Sequence, residues 1–474
     1  MADFEVGGEL GEARRVFQGQ FAASRAGPIA GLEVRRDRLE RLRGVVAGNA
    51  EALAEAISGD FGTRSRTETE LLEIVPTLNA LRHAKRKVAS WMRAERRRVD
   101  PLFQPAKAWV RWEPLGVVGI ISPWNYPLQL ALSPLVDAIA AGNRAMVKPS
   151  ELTPRFSELL KRLISEAFDE AEVAVVTGGV EVGQAFASLP FDHLLFTGST
   201  AIGRRVYQAA AANLTPVTLE LGGKSPAVVC GDYPLEKAAR SIAFGKFVNA
   251  GQTCIAPDYV LVPEGREEAF AEAVIAAARA GYPEVAGNPQ YSALISERHQ
   301  RRLLEAVEAA RAAGARVIAH EDAGTREAGK IGPTVVIGAT EELLLLNEEI
   351  FGPVLPVVGY RDLGEALAFI NARERPLALY CFGKDRRAVA RVLDGTISGG
   401  VTLNGTLMHV AQENLPFGGV GASGIGAYHG REGFRRFSHA RGVHKVGFVN
   451  VFERLGPPWG KFAAGLAKRL VKRG

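Results

Sequence analysis

The chain has 474 residues, of which 47% are apolar and 23% are charged, and its formal net charge is +6. This composition is typical of a globular protein large enough for two or three domains. Three cysteines are too few for a disulfide framework, and residues 455–474 contribute +5 of the net charge, so the nearly neutral remainder does not indicate a nucleic-acid partner.

The first residues, from Met1 to Val6, lack the basic and apolar segments of a signal peptide. No run approaches the roughly 18 uncharged apolar residues that a membrane-spanning helix needs. We therefore expect a cytoplasmic protein with reduced thiols.

Residues 10–95 are predicted to be helical, because apolar residues such as Leu39, Leu42 and Val46 recur at helical spacing among charges. The segment of about 100–114 contains several prolines, and the stretch from Trp109 to Trp112 alternates like a strand. It predicts a hairpin that projects from the body.

From residue 115 onward, short apolar runs alternate with helical segments. The first series comprises strands at 116–121, 145–148, 173–176, 193–197 and 217–219 and helices at 127–141, 154–168, 181–187 and 201–212. The second comprises strands at 227–229, 258–262, 316–319, 334–337 and 378–382 and helices at 234–248, 265–281, 296–313, 363–372 and 385–395. This alternation predicts two α/β domains with parallel sheets and right-handed crossovers, divided near residue 222.

Polar residues follow several of these strands, at the sheet edge where α/β folds bind ligands. Asn125, fixed between two prolines, is suited to stabilise an oxyanion, or it caps a proline-rich turn. Lys148 ends a strand, and Glu151 is placed to accept hydrogen bonds from ribose hydroxyls. The alternative is that Ser150 merely begins the next helix.

The stretch from His193 to Gly203 is a strand, a glycine turn and a helix. Such a turn can direct backbone amides towards a phosphate, and Gly178-Gly179 forms a second turn of this kind. The spacing from Gly198 to Gly203 is not that of the usual dinucleotide fingerprint, so a simple tight turn is the alternative.

Cys254 stands in Asn-Ala-Gly-Gln-Thr-Cys at 249–254, where small and polar residues favour an exposed turn that can present a reactive thiol. Taken alone, such a cysteine is more often an ordinary packed residue. Cys230 and Cys381 lie in apolar strands and are expected in the core. Glu220 directly follows the run at 217–219, and Glu349 precedes a Gly-Pro turn; each carboxylate taken alone is more typical of a solvated residue.

Together these motifs resemble the NAD(P)-dependent aldehyde dehydrogenase superfamily. The matching blocks, in family order, are Pro-Trp-Asn (123–125), Lys-Pro-Ser-Glu (148–151), Phe-Thr-Gly-Ser-Thr (196–200), Glu-Leu-Gly-Gly-Lys (220–224), Gly-Gln-Thr-Cys (251–254), Glu-Ile-Phe-Gly-Pro (349–353) and Leu-Pro-Phe-Gly-Gly-Val-Gly (415–421). The stretches at 251–259, 376–380 and 421–430 are similar to the class 3, fatty-aldehyde and coniferyl-aldehyde branch.

The resemblance implies two Rossmann-like domains and a small bridging element. The cofactor domain would span 1–222, with the hairpin at about 100–114, and the catalytic domain 223–403. Residues 404–450 would return to the cofactor domain and supply an oligomerisation strand near 440–450 that bridges a homodimer. Residues 451–474 would form a basic amphipathic tail.

The resemblance also implies a reaction. Cys254 would attack the aldehyde carbonyl, the Asn125 amide would hold the oxyanion, hydride would pass to NAD(P), and Glu220 would activate the water that hydrolyses the thioester. Glu349 is the competing assignment for this base. Retention of Glu220 favours hydrolysis over the alternatives of a CoA-acylating relative or a catalytically silent one.

The implied cofactor is NAD, which Glu151 favours over NADP, although NADP stays open. The residues expected to hold it are Trp124, Lys148, Glu151, Gly179, Gly198, Ser199, Gly203, Leu221, Glu349 and Phe351. No metal is expected, since the histidines are scattered through the sequence.

The implied substrate is a medium- to long-chain aliphatic or an aromatic aldehyde, coniferyl aldehyde among them. Candidate walls of its pocket are Tyr126, Leu130, Met408 and His409.

Residues 457–474 form a candidate amphipathic helix, because Trp459, Phe462, Leu466 and Leu470 fall three or four apart and the cations lie elsewhere. Its apolar face is expected to pack on the dimer. Weak contact with an anionic membrane surface is the alternative.

Overall fold

The structure is a computed structural model that describes residues 8–472. The expectation for the first six residues therefore lies outside the described part, as does the last residue pair of the tail. The chain begins with the helices α1 (Glu9–Ala26), α2 (Leu32–Gly48), α3 (Ala50–Phe61), α4 (Arg66–Thr69), a π-helical turn (Glu70–Ile74) and α5 (Val75–Trp91). The strands β1 (Glu95–Arg97) and β2 (Lys107–Pro114) follow, with a 3₁₀ turn (Pro101–Phe103) between them.

The next part of the chain alternates strand and helix. Its elements are β3 (Val117–Ile121), α6 (Pro127–Ala141), β4 (Arg144–Lys148), α7 (Pro154–Ala167), β5 (Val173–Val175), α8 (Val180–Ala187), β6 (His193–Gly198), α9 (Thr200–Ala211) and β7 (Val217–Leu221). The buried strands are apolar on both faces because helices cover the sheet on each side.

A second alternating series begins at residue 226. Its elements are β8 (Pro226–Val229), α10 (Leu235–Phe247), a 3₁₀ turn (Val248–Gly251), β9 (Tyr259–Pro263), α11 (Glu267–Gly281), α12 (Glu297–Ala312), β10 (Arg316–Ala319), β11 (Thr334–Ile337), α13 (Leu344–Asn347), β12 (Val354–Tyr360), α14 (Leu363–Asn371), β13 (Ala378–Phe382), α15 (Arg386–Gly395) and β14 (Gly400–Leu403). The C-terminal part has a 3₁₀ turn (Gly421–Ser423), β15 (Gly424–Ile425), α16 (Gly430–Arg436), β16 (Ser438–Lys445), α17 (Val451–Leu455) and α18 (Lys461–Val471).

The strands form three sheets. A six-stranded sheet has the order β15-β7-β6-β3-β4-β5, a seven-stranded sheet the order β10-β11-β12-β9-β8-β13-β14, and a small antiparallel sheet the order β1-β2-β16. The two large sheets are parallel apart from their edge strands β10 and β15, which pair antiparallel. The α/β prediction with Rossmann-like parallel sheets is confirmed, while the domain limits proposed from the sequence stay a prediction.

Some elements differ from those predicted. Four strands, β1, β12, β14 and β15, are not among the predicted elements, and β15 is too short to show a periodic pattern. The hairpin partner of β2 is Glu95–Arg97, which lies before the proline-containing segment. Strand β16 pairs with the other side of β2, through residues brought from the far end of the chain.

The crevice relevant to function lies at the carboxyl ends of β3, β4 and β6. Strand β3 is central, and the chain continues to β4 on one side and later to β6 on the other. At such a switch point the loops diverge and leave a crevice that binds ligands in α/β folds.

Candidate active site

Two adjoining cavities occupy this crevice. The larger, of about 480 Å³, is bordered by Ser122 after β3, Lys148 at the end of β4 and Gly198 at the end of β6. The smaller, of about 250 Å³, brings together Asn125, Leu130, Glu220, Leu221, Cys254, Glu349 and Phe351. Trp124, Gly198, Ser199 and His299 border both cavities, which makes the two spaces continuous.

The wall of the larger cavity holds a buried lysine beside a carboxylate. The Lys148 side chain is buried, and its Nζ lies 2.9 Å from Oε2 of Glu151. Glu151 keeps 41% of its side chain exposed to the cavity and solvent. A carboxylate held in this way can accept hydrogen bonds from a diol such as ribose.

Of the two glycine turns expected to contact the cofactor, one borders the larger cavity and the other does not. Gly198 and Ser199 border the cavity, and Ser199 caps α9 by accepting a hydrogen bond from the Ile202 N–H at 3.4 Å. Gly179 caps α8 but is not among the residues that border the cavity.

Gly203 acts through packing. A Cβ at this position would lie 2.6 Å from Cδ2 of Leu221, so glycine lets α9 approach β7 closely. Gly203 borders neither cavity, whereas Leu221 borders the smaller one.

Aromatic rings lie where the two cavities meet. The Trp124 ring meets the Phe351 ring edge to face with a centroid distance of 5.4 Å, and the His299 ring at 5.3 Å. These rings narrow the passage between the cation–carboxylate pair and the thiol.

Cys254 follows a strained turn. Asn249, Ala250 and Gly251 have φ values of 50°, 49° and 74°, and a non-glycine residue in this region costs on the order of 1–3 kcal/mol. A Cβ at Gly251 would lie 2.3 Å from the carbonyl oxygen of Gly352, so only glycine permits this approach. The turn persists because Gln252 donates from Nε2 to the Asn249 carbonyl at 3.0 Å.

Asn125 is fixed from both ends. Its side-chain Nδ2 donates to the Gln252 carbonyl at 3.1 Å. Its backbone carbonyl accepts from Arg64 Nη1 at 3.0 Å and from Asn249 Nδ2 at 2.9 Å. Arg64 in turn pairs with the fully buried Glu73 at 3.0 Å. The second amide proton of Asn125 stays available for a ligand oxygen.

Glu220 lies within β7, where it faces Thr197 of β6 and Gly424 of β15, and not after the strand as the sequence suggested. The short β15 pairs with β7 at the edge of the sheet, and Glu220 is buried. Neither carboxyl oxygen has a hydrogen-bond partner among the described residues. Burial raises the pKa of Glu220 well above its usual range, and the nearby Arg436 only partly opposes this effect.

Glu349 also borders the smaller cavity. Burial, with the charge of Asp258, raises its pKa to about 8. Lys224, ion-paired with Asp258, donates to the carbonyls of Leu345 and Glu348 at 2.9 Å each and so holds the loop that carries Glu349.

Cys254 is less open than the sequence predicted. The residue is only partly exposed, and burial, followed by the charges of Glu349 and Glu220, raises the pKa of its thiol to about 12. The expectation of an exposed turn was wrong because residues distant in sequence close around it. The thiol is neutral at pH 7 and needs a proton acceptor to become a nucleophile.

Only one of the four expected pocket walls borders the smaller cavity, and that residue is Leu130. The Tyr126 hydroxyl is hydrogen-bonded to Thr253 Oγ1 at 2.9 Å. Met408 is 48% exposed, and His409 is bonded to Thr402 Oγ1 through Nδ1 at 2.8 Å.

Several residues of the site were not singled out from the sequence. Asn249, Gln252 and Asp258 lie inside the stretch around Cys254 that was recognised, and His299 opens α12. Arg64 and Glu73 gave no signal, because charges at helical spacing indicate a solvated face.

Comparison with known proteins places these features in context. The model of the aldehyde dehydrogenase family matches residues 20–443. A probable coniferyl aldehyde dehydrogenase of Pseudomonas aeruginosa is 49% identical over 465 residues, 98% of this chain and 97% of that protein. A coniferyl aldehyde dehydrogenase of a Pseudomonas species is 47% identical over 449 residues, 93% and 92% of the two chains. The substrate-bound structure of Staphylococcus aureus AldH superposes with a TM-score of 0.90 at 38% identity, covering 96% and 98% of the two chains.

Proposed function

The chain belongs to the aldehyde dehydrogenase family, and on that premise we propose that it oxidises aromatic and medium- to long-chain aliphatic aldehydes, coniferyl aldehyde among them. The enzyme converts aldehydes to carboxylic acids with NAD(P). The observation that carries the assignment of roles is the smaller cavity, where Cys254 shares one space with the Asn125 amide and the carboxyl groups of Glu220 and Glu349.

The Cys254 sulfur is the nucleophile in this proposal. Its bond to the carbonyl carbon forms as the thiol proton passes to one of the neighbouring carboxylates. The resulting oxyanion accepts hydrogen bonds from Asn125 Nδ2 and the Cys254 backbone N–H. These donors are positioned before the reaction, so they stabilise charge as it develops.

The residues of the larger cavity fit a dinucleotide. In this proposal Lys148 and Glu151 bind the adenine ribose, Gly198 and Ser199 lie against the pyrophosphate, and Trp124 and Phe351 line the approach to Cys254; each of these residues borders one or both cavities. When bound, NAD(P) supplies the hydride acceptor. A free 2′-hydroxyl suits the Glu151 carboxylate, so NAD is the proposed preference and NADP the alternative.

Glu220 is the proposed base for thioester hydrolysis, and Glu349 the competing one. A general base must lose its proton before it can take one from water, and burial keeps both groups protonated to a higher pH than usual. Retention of Glu220 supports transfer of the acyl group to water and not to CoA. Presence of Cys254 and Asn125 argues against a catalytically silent protein.

We also propose a homodimer formed through sheet edges. Strand β14 is an edge of the seven-stranded sheet, and β16 is an edge of the small sheet. Unpaired edges of this kind readily accept a strand from another chain. Pairing of β16 with β14 of the partner would cover both edges and explain the exposed Ile397 and Leu403 beside them.

The C-terminal tail carries an exposed apolar surface of its own. Helix α18 has no buried residue, and Phe462 and Val471 are 76% and 81% exposed. Packing on the dimer is the proposed arrangement and contact with anionic lipid the alternative. Flotation with vesicles of acidic lipid distinguishes these two arrangements. It compares the parent with the double variant that carries Trp459→Ser and Phe462→Ser, and Phe448→Ser, at another exposed position, is the matched control. No described helix is long and apolar enough to cross a bilayer.

The central test is a reduced-cofactor assay across aliphatic and aromatic aldehydes, with NAD and NADP in parallel. Cys254→Ala should reduce turnover of every aldehyde by at least about 1,000-fold while cofactor binding, followed by fluorescence, is kept. The equally conservative Cys230→Ala, in the core, is the control. If Cys254→Ala turned over aldehydes at a rate near that of the parent, Cys254 would be excluded as the nucleophile.

A further inference from the structure

Lys246, in the last turn of α10, is a buried cation that the reaction proposed above does not use. Its side chain is 0% exposed, and its Nζ has no hydrogen-bond partner among the described residues. Its ion-pair partner is Oδ1 of Asp258, 3.8 Å away. A buried charge is strongly disfavoured unless an anion and hydrogen bonds compensate it, and this contact supplies neither in full.

Asp258 is already engaged by other groups. Its Oδ2 accepts a hydrogen bond from Lys224 Nζ, and its Oδ1 accepts the Ile350 N–H at 3.1 Å. Burial lowers the pKa of Lys246 to about 8, so this group is still mostly charged at pH 7. Two lysines against one aspartate therefore leave one positive charge in excess.

The next carboxyl group is that of Glu349, which borders the smaller cavity together with Cys254. Glu349 directly precedes Ile350, whose N–H is held by Asp258. A Cβ at Gly222 would lie 2.0 Å from Oε2 of Glu349, so glycine lets this carboxyl group approach the chain that leaves β7. The excess positive charge therefore lies beside an acidic group of the active site.

The charges around Glu349 act in opposite directions. Burial and the charge of Asp258 raise the pKa of Glu349, whereas the charges of Lys224 and Lys246 lower it. When Glu349 is neutral, the four groups carry one positive charge. When Glu349 is ionised, they are neutral together.

The other charged or titratable groups that border this cavity are Cys254, Glu220, His299 and Arg302. Arg302 lies 3.0 Å from a carboxylate oxygen of Glu348, so its charge already has a counter-ion. Burial lowers the pKa of His299 and raises that of Glu220, which favours the neutral form of both. Lys246 differs from Arg302, because the carboxylate beside it is shared with a second lysine.

We propose that the Lys246 ammonium group is the counter-charge of the anion that the site forms when Cys254 is activated, and that it acts through Glu349. Without Lys246, loss of a proton from the site would leave a buried negative charge unpaired. Lys246 is not among the residues that border the cavity, so it is a positioning residue. The inference rests on the proposed reaction at Cys254 and names a group that sets the pH at which the thiol becomes reactive.

The test follows alkylation of Cys254 by iodoacetamide from about pH 6 to about pH 10, without aldehyde or cofactor. The thiolate is the reactive form, and mass spectrometry of the peptide that contains Cys254 separates it from the two buried cysteines. In Lys246→Met the pH midpoint of alkylation should rise by at least about one unit, which slows the reaction about tenfold below the midpoint. Lys246→Gln should give a similar rise. Lys237→Met, exposed on the same helix, should leave the midpoint unchanged.

A second comparison places Lys246→Met in a chain that also carries Glu349→Gln. Because the charge acts through Glu349, the rise caused by Lys246→Met should there be at most about half of that in the parent. An unchanged midpoint in both Lys246 variants, or an equal rise with and without Glu349, overturns the inference. A parent that oxidises no aldehyde overturns the proposed function instead, since alkylation of Cys254 requires no turnover.

Discussion

Cys254, Glu220 and Glu349 lie around one small cavity, and burial favours the neutral form of each. Ionisation of any one would be opposed by the charge of another, since like charges in one site raise each other's proton affinity. The thiol can pass its proton to one of the two carboxyl groups only after that group has lost its own proton, so loss of one proton from the site precedes attack by the sulfur. The thiol and its base have to be considered as a coupled group.

Glu220→Gln should separate the two halves of the reaction. Cys254 can still form the thioester, so about one equivalent of reduced cofactor per site should appear in a burst, followed by turnover at least about 100-fold slower. In the parent, the hydrolysis rate should rise with pH as the base loses its proton, and this rise should disappear in the variant. Rapid-mixing absorbance at several pH values measures both.

Glu349→Gln is the matched control for that experiment. It is expected to change the rate of the burst without producing a slow hydrolysis phase. The opposite pattern, with a burst only in Glu349→Gln, would give the base assignment to Glu349.

Glu151 is expected to set the cofactor preference. Its carboxylate repels a 2′-phosphate, so Glu151→Gln should raise the ratio of kcat/KM for NADP to that for NAD by about tenfold, equivalent to about 1.4 kcal/mol. Steady-state assays with both cofactors measure the ratio. Glu181→Gln, exposed on α8 outside the cavity, should leave it unchanged, and a similar change in both variants would contradict a specific role of Glu151.

At the scale of elements, the helical N-terminal segment supports the site from behind. Arg64, between α3 and α4, pairs with Glu73 in the π-helical turn, and Glu73 Oε2 accepts the Leu128 N–H at the start of α6 at 2.9 Å. These contacts therefore connect the segment before α4, the π-helical turn and α6 to Asn125 through buried charges. Removing one member of a buried ion pair is costly because the remaining charge is left without a partner and without solvation by water.

Arg64→Met should lower the free energy of unfolding by about 3–5 kcal/mol, since it leaves Glu73 without its cation. Arg64→Met combined with Glu73→Gln should recover part of that loss. Denaturant titration followed by circular dichroism measures both changes. Equal stability of the single and double variants would show that the buried charge is not the cause.

At the scale of the whole molecule, the proposed dimer depends on the sheet edges formed by β14 and β16. Gly400 N–H donates to Leu377 and Asn404 N–H to Cys381, so the even positions of β14 face β13. The N–H groups of Val401 and Leu403 therefore point outward. These groups are the donors available to a strand of a partner.

Val401→Pro should weaken the dimer, because proline removes an outward donor and obstructs the edge. Light scattering with size-exclusion chromatography should show a shift from twice the chain mass towards the mass of one chain. Val401→Thr keeps the N–H and should stay dimeric. A dimer of unchanged stability in Val401→Pro would exclude this edge as the interface.

The sequence by itself determined the alternating α/β architecture and the positions of the functional motifs. Strand runs such as 116–121 are apolar on both faces, and Cys254, Asn125 and Glu220 occur in family-specific blocks, so both features could be read locally. The order of strands then brings those blocks to one edge.

Only the tertiary structure decided the environment of each group. Burial of the Cys254 thiol, the position of Glu220 within β7 and the pairing of Arg64 with Glu73 depend on segments far apart in sequence. In the sequence, a charged residue at helical spacing gives the same pattern whether its side chain faces water or a buried partner. Desolvation and contact, which set proton affinity and position, arise only when the chain closes around it.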